Sequence, residues 1–479
     1  MLPDHGRSSA ELLEELNTLR AADLPTQGGR TTAYVYDSGR PEVRAAAQAA
    51  YLAMLEVNGL DPTAFPSIVR LEREVVAAVA SRLGGDATTP GIFTSGGTES
   101  IILAVKAARD SRPDVANPEI VVPATAHAAF HKAGHYLGVR VKQVPVSPTS
   151  FRALPEAMAD AITDDTVLVV ASAPSYAHGV IDPVVPIAAA AAARGVACHV
   201  DACVGGWLLP WLADAGADIP PFDLGVPGVT SLSVDLHKFG YAPKGASVLL
   251  FRDSAMRLGA YFACAEWPGY TVINSTIQSS KGAGPLAGAW ATLQSLGTSG
   301  YRSLGAAALE ATRRVVRGIS DIPGLRVLGT PDATLVAFTV DDDPGLDVFT
   351  IADEARVRGF FLQPQLSYAG MPASLHLTLT GVSESGVDSL LATLAVAVSS
   401  ARSLGPVSTD ALSQIASLDF ASLDDAALGA LLPAVGVSFA GGTPRMAAVN
   451  AVLDGLPPAS REALLTRFLS ALYSPALDG

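Results

Sequence analysis

Apolar residues recur along this chain in two alternating rhythms. Residues 8–20 place Leu12, Leu13, Leu16 and Leu19 on one helical face, and Ser8 with Glu11 has the spacing of a capping box. An alanine-rich segment, about 41–57, predicts a second helix stopping at Asn58-Gly59. After Phe65-Pro66, the stripe Ile68, Leu71, Val75, Val76, Val79 and Leu83 predicts a third, closed by Gly84-Gly85. Short apolar runs then alternate with helical ones. Strands are expected over 120–122, 139–144, 167–172, 197–200, 231–234 and 247–251, with helices such as 100–109 and 186–194 between them. That order predicts an α/β fold, a mainly parallel sheet covered on both faces.

Beyond about residue 300 the texture changes. A long helix (301–319), strands at 325–328, 334–339 and 375–379, and a helix at 347–358 suit a smaller C-terminal α+β domain. Gly405-Pro406-Val407-Ser408 reads as a linker into a tail of short amphipathic helices ending near Tyr473. The expected division is an N-terminal helical segment (1–60), a large domain (61–300), the small domain (301–404) and the tail (405–479).

Composition narrows the function classes. The chain has 479 residues, 49% hydrophobic and 16% charged, enough for a large buried core. A formal charge of −14 argues against a general nucleic-acid or anionic-membrane binder. Cys198, Cys203 and Cys264 have neither metal-ligand spacing nor an even-numbered disulfide framework. The positive mean hydropathy, +0.33, comes from alanine and valine spread along the chain. No run is read as the ~18 apolar residues of a membrane span, and residues 1–7 lack the features of a signal peptide. A soluble, cytoplasmic protein is expected.

Chemistry gathers at four places. Residues 231–245 run from a strand into a polar turn carrying His237 and Lys238, where a placed lysine suits Schiff-base chemistry. Gly91-Ile92-Phe93-Thr94-Ser95-Gly96-Gly97-Thr98-Glu99-Ser100 leads straight into a helix, a phosphate cradle without the Walker-A lysine. Asp201 stands at the C-terminal end of a buried strand, where such sheets place ligand groups, and a buried carboxylate needs a positive partner. His127 follows a strand and can present a flat ring; His199, His131 and His135 read as structural. Cradle, strand-end aspartate, histidine and loop lysine are the parts needed to hold pyridoxal phosphate.

The chain resembles the group II pyridoxal-phosphate decarboxylase superfamily, and within it the sphingosine-1-phosphate lyases. The resemblance is carried by Thr94–Ser100, Ala126–Phe130, His178-Gly179-Val180-Ile181-Asp182-Pro183, His199–Cys203 with Gly205-Gly206, and His237–Gly245, in order over roughly 34–475. It implies the type I aminotransferase fold and a homodimer with shared active sites. It further implies that Lys238 holds the cofactor covalently, Asp201 keeps the ring nitrogen protonated, and His127 stacks on the ring. Gly97, Thr98 and His237 would hold the phosphate, with Ser280 from a second subunit. On the substrate side Lys244 matches a family lysine that pairs with substrate phosphate, and Tyr36 a nearby tyrosine, with Tyr34 as the alternative.

Asp61 stands where these lyases have a histidine that helps bind substrate phosphate, Lys281 where arginine is common, and Pro174-Ser175-Tyr176-Ala177 also departs from their pattern. The leading expectation is a carbon–carbon lyase giving an aldehyde and phosphoethanolamine from a phosphorylated long-chain amino alcohol. Amino-acid decarboxylation on the same scaffold is the alternative, which Asp61 favours because an aspartate repels a phosphate dianion. A non-catalytic dimer is a third reading.

Overall fold

A computed structural model describes residues 2–407 and 445–473; the expected tail at 408–444 and 474–479 lies outside the described residues. The large body is built on a seven-stranded sheet. Its strands are β1 (Gly91–Thr94), β2 (Glu119–Pro123), β3 (Arg140–Val144), β4 (Thr166–Ser172), β5 (Ala197–Asp201), β6 (Ser231–Asp235) and β7 (Ser247–Phe251), in the order β1-β7-β6-β5-β4-β2-β3. β7 runs antiparallel to both its neighbours and every other pairing is parallel. The central strands are buried throughout, which is why they read as unbroken apolar runs in the sequence.

β1 is a strand that the sequence reading does not include, its residues being read only as part of the phosphate cradle. It has only four residues and gains its conformation from pairing, Gly91 to Leu250 through Thr94 to Ser247. Reversed twice through β7, β1 points the same way as β6. The chain therefore leaves β1, β2, β4, β5 and β6 at one edge of the sheet, and residues distant in sequence meet there.

The helix Gly97–Asp110 leaves that edge and buries Ile101, Ile102, Leu103, Ala104 and Val105 against the sheet. Pro41–Ala53 stops short of the expected residue 57. The expected helix 301–319 is the second half of a longer element, Gly284–Ser320, which bends at Gly297 (φ 55°) and crosses the expected boundary at residue 300. A four-stranded antiparallel sheet then forms from Leu325–Val327, Leu335–Val340, Ser374–Thr378 and Gln363–Gln365. With Val348–Val357 and Val387–Leu404 it encloses a second core around Phe338, Ile351, Leu377 and Leu394. The segment Gly381–Leu404, mean hydropathy 1.3, has the length and composition of a membrane span, contrary to the sequence reading. Its Val387, Leu390, Leu394 and Val398 are buried in that second core.

Candidate active site

The loops at the C-terminal edge enclose a cavity of about 350 Å3, lined by Ser95 to Glu99, His127, Ser172, Tyr176, Asp201, Cys203, Asp235, His237 and Lys238. Six of the expected cofactor residues, from four separate stretches of chain, thus meet at one place: Gly97, Thr98, His127, Asp201, His237 and Lys238.

Lys238 lies in the turn after β6, three residues beyond Asp235, and its Nζ is 2.8 Å from Asp235 Oδ2. Burial pulls the Lys238 ammonium down, but Asp235 and Tyr36 outweigh it and hold the lysine above its ordinary value. Burial pushes Asp235 up in turn, and the charges of Lys238 and His237 bring it below the usual carboxylate range. His237 Nε2 stands 3.6 Å from the same carboxylate oxygen, and its Nδ1 accepts from the Ala246 amide at 3.2 Å.

The helix Gly97–Asp110 begins directly over this carboxylate. A Cβ on Gly97 would lie 2.6 Å from Cys203 Sγ and 2.9 Å from Asp235 Oδ2, so only glycine lets the helix start come so close. Its first N–H groups have no partner within the helix and open on the cavity at the positive end of the dipole. Asp201, 7% exposed, accepts from the Cys203 amide through Oδ1 at 3.1 Å. His127 fixes its ring through Nδ1, which accepts from the Ala129 amide at 3.1 Å.

Two buried polar atoms on the cavity wall, Asp235 Oδ1 and Ser172 Oγ, have no hydrogen-bond partner among the described residues. Such orphans cost free energy unless a ligand or solvent satisfies them. An anion-binding helix start, a lysine amine, a strand-end carboxylate and an open imidazole around one cavity of this size fit pyridoxal phosphate.

Beside the cavity, Lys244 Nζ donates to the Tyr34 carbonyl at 3.0 Å and lies 5.2 Å from the centre of the Tyr36 ring. Tyr36 packs edge-on to Phe239 at 5.1 Å and is close enough to Lys238 to feel its charge, whereas the Tyr34 side chain is exposed. Within one chain Asp61 and Ser280 do not line the cavity. Asp61 is exposed, and its Oδ1 accepts from the Thr63 amide (2.8 Å), the Thr63 hydroxyl (2.6 Å) and the Ala64 amide (3.3 Å).

Sequence reasoning missed three groups. Asp235 was legible as a carboxylate three residues before a turn lysine. Glu99 is buried and accepts from the amides of Ser95 (2.6 Å) and Ile277 (2.8 Å), which no local pattern announces in full. Tyr176 stacks on His376 at 4.4 Å and donates to Gln363 Oε1 at 2.5 Å. Those partners come from the small sheet, nearly two hundred residues away.

Fold and site together define a pyridoxal-phosphate-dependent enzyme of the type I aminotransferase fold. The pyridoxal-dependent decarboxylase conserved domain matches residues 49–341, and a C-terminal putative HTH domain of pyridoxal-dependent enzymes matches 409–471. The chain belongs to the pyridoxal-dependent decarboxylase family, and within it to the sphingosine-1-phosphate lyases. It is 40% identical to the sphingosine-1-phosphate lyase of Dictyostelium discoideum over 79% of this chain and 70% of that one. For sphingosine-1-phosphate lyase 1 of Rattus norvegicus the figures are 36%, 79% and 66%. The solved sphingosine-1-phosphate lyase of Burkholderia pseudomallei superposes with a TM-score of 0.79 at 35% identity, over 84% of this chain and 93% of that one. Glutamate decarboxylase of Lactobacillus brevis, TM-score 0.75 at 18% identity over 85% and 96%, shares the fold.

Proposed function

We propose that this enzyme cleaves a phosphorylated long-chain amino alcohol, of the sphingosine-1-phosphate kind, to a long-chain aldehyde and phosphoethanolamine. The observation that carries the substrate is Lys244. Its ammonium is close enough to Lys238 and Asp235 to feel their charges, lies beside the Tyr36 ring, and is paired with no carboxylate among the described residues. A cation this near the cofactor site, with no carboxylate to neutralise it, suits a substrate phosphate. The relatives named above support the same reading.

In this proposal Lys238 binds the cofactor, His127 covers one face of its ring, and Gly97, Thr98 and His237 hold its phosphate. Asp201 holds the ring nitrogen protonated. Bound pyridoxal phosphate supplies an electron sink for the pair of electrons left when a bond to the substrate's amine-bearing carbon breaks. Lys244 and Tyr36 fix the far end of the substrate and so select which bond is presented. We also propose a homodimer in which Ser280 completes the partner's cofactor site. Asp61 is exposed and does not line the cavity of its own chain, so within one chain its charge is not set against the substrate.

Product analysis by mass spectrometry tests this directly. Holoenzyme incubated with sphingosine-1-phosphate is expected to yield fatty aldehyde and phosphoethanolamine, and Lys238→Ala none. Cofactor-loaded enzyme that leaves this substrate intact but releases CO2 from an amino acid would replace the lyase by a decarboxylase.

A further inference from the structure

Beside Asp201 lies a line of buried side chains that the proposed chemistry leaves unused. β5 and β6 run parallel with His199 opposite Ser231 and Asp201 opposite Ser233. Residues two apart on a strand share a face, so these four side chains stand together. His199, Ser231 and Ser233 are wholly buried. His199 Nδ1 is 2.9 Å from Ser231 Oγ and Nε2 is 3.2 Å from Ser233 Oγ. Ser233 Oγ also lies 3.2 Å from Cys203 Sγ and 3.5 Å from Asp201 Oδ1. Phe130 closes the imidazole edge-on at 6.0 Å.

Two arrangements of donors fit these distances, with the Ser233 proton on His199 Nε2 at 3.2 Å or on Asp201 Oδ1 at 3.5 Å. Ser233 has a single hydroxyl proton and three polar neighbours. The carboxylate can only accept, and a charged acceptor makes the stronger bond, which favours the second arrangement, with that proton on Asp201. The Cys203 thiol donates to Ser233 Oγ. His199 Nε2, having no proton to receive, must then carry one and donate it to Ser233. Nδ1 is left bare and accepts from the Ser231 hydroxyl. Burial pushes His199 down to about 4, against the pull of Asp201, so the ring is neutral and has a tautomer to choose.

We propose that His199 is a positioning residue for Asp201: its Nε2–H tautomer turns the Ser233 hydroxyl onto Asp201 Oδ1. That oxygen then holds two donors, Ser233 and the Cys203 amide, while no described hydrogen bond uses Oδ2. Oδ2 is the oxygen left to face the cofactor ring nitrogen. The inference deepens the reading of Asp201 given above and rests on it for its catalytic consequence, but the tautomer itself needs no cofactor.

The first test is therefore made on cofactor-free protein labelled with 15N-histidine, using long-range 1H–15N correlation. The His199 signal is recognised among the eight histidines by its loss in His199→Gln. A protonated Nε2 with bare Nδ1 is expected; a protonated Nδ1, or an imidazolium, overturns the proposal whether or not the cofactor reading holds. The second test uses holoenzyme carrying ring-15N pyridoxal phosphate. Ser233→Ala is expected to lower the protonated fraction of the ring nitrogen and to cut kcat on the order of tenfold with KM little changed. His199→Gln, which can still donate from the Nε2 position, should retain most of both readouts, and His199→Phe should not. Equal values in Ser233→Ala and the wild type would reduce the line to packing.

Discussion

A free amine attacks a carbonyl and an ammonium cannot, so the proton on Lys238 decides when that residue becomes reactive. Burial alone would release it early; Asp235, at 2.8 Å, retains it. Removing the carboxylate leaves burial unopposed, so the free amine should form at lower pH. Capture of pyridoxal phosphate by cofactor-free Asp235→Asn, followed by absorbance across a pH series, is expected to rise at a more acidic pH than in the wild type. Superimposable profiles would take Asp235 out of this role. Stability has its own sign. Asp235 is depressed in the folded state, so its contribution is present above the ordinary carboxylate range near ~4 and is lost as pH falls through the lower folded value. Lys238 is raised, so its share is complete below its ordinary value near ~10.4 and is lost only as pH climbs through the higher folded one.

At the level of elements, the cofactor cradle and the segment carrying Ser280 and Lys281 are one unit because Glu99 joins them. The carboxylate sits in the first turn of Gly97–Asp110, where the helix dipole favours it, and reaches back to Ser95 and across to Ile277. Glu99→Gln places an amide N–H against one of two N–H donors, leaving a buried group unsatisfied. The expected loss is about 1–3 kcal/mol of stability, with faster hydrogen exchange at the Ile277 amide. Unchanged exchange there would mean that the segment is held by something else. The sequence reading succeeds where burial is uniform, since strands such as β4 and β6 announce themselves as apolar runs between helices. It fails at β1, whose four residues are a strand only because β7 pairs with them. The lysine, histidine and strand-end aspartate were legible because each follows a strand of its own. Glu99, Tyr176 and the small-sheet partners Gln363 and His376 were not, because their contacts depend on how distant elements fold together.

For the molecule as a whole, large apolar side chains are left exposed on two segments. Phe262, Trp267, Tyr270, Ile273 and Ile277 are all exposed along a single segment, and Leu52, Leu55 and Phe65 are exposed on the helical part that precedes the sheet. The cleft of about 530 Å3 bounded by Gly59, Arg73, Tyr261, Ile273 and Lys281 adjoins this segment and includes none of the cofactor residues. An exposed apolar surface of this kind marks an association site, and a second copy of the chain is the occupant proposed above. In the proposed dimer Ser280 would reach the partner's helix start at Gly97, while Ile277, three residues earlier, stays tied to Glu99 of its own chain. Subunit mixing tests the arrangement. Lys238→Ala lacks the amine, and Ser280→Asp sets a carboxylate against the cofactor phosphate, so each variant alone is expected to be inactive. After exchange, half of the dimers are mixed, and each has one site with Lys238 from one chain and Ser280 from the other. Activity should recover to roughly a quarter of the wild-type value. If Ser280 served its own subunit, every mixed site would keep one defect and no mixture would regain activity.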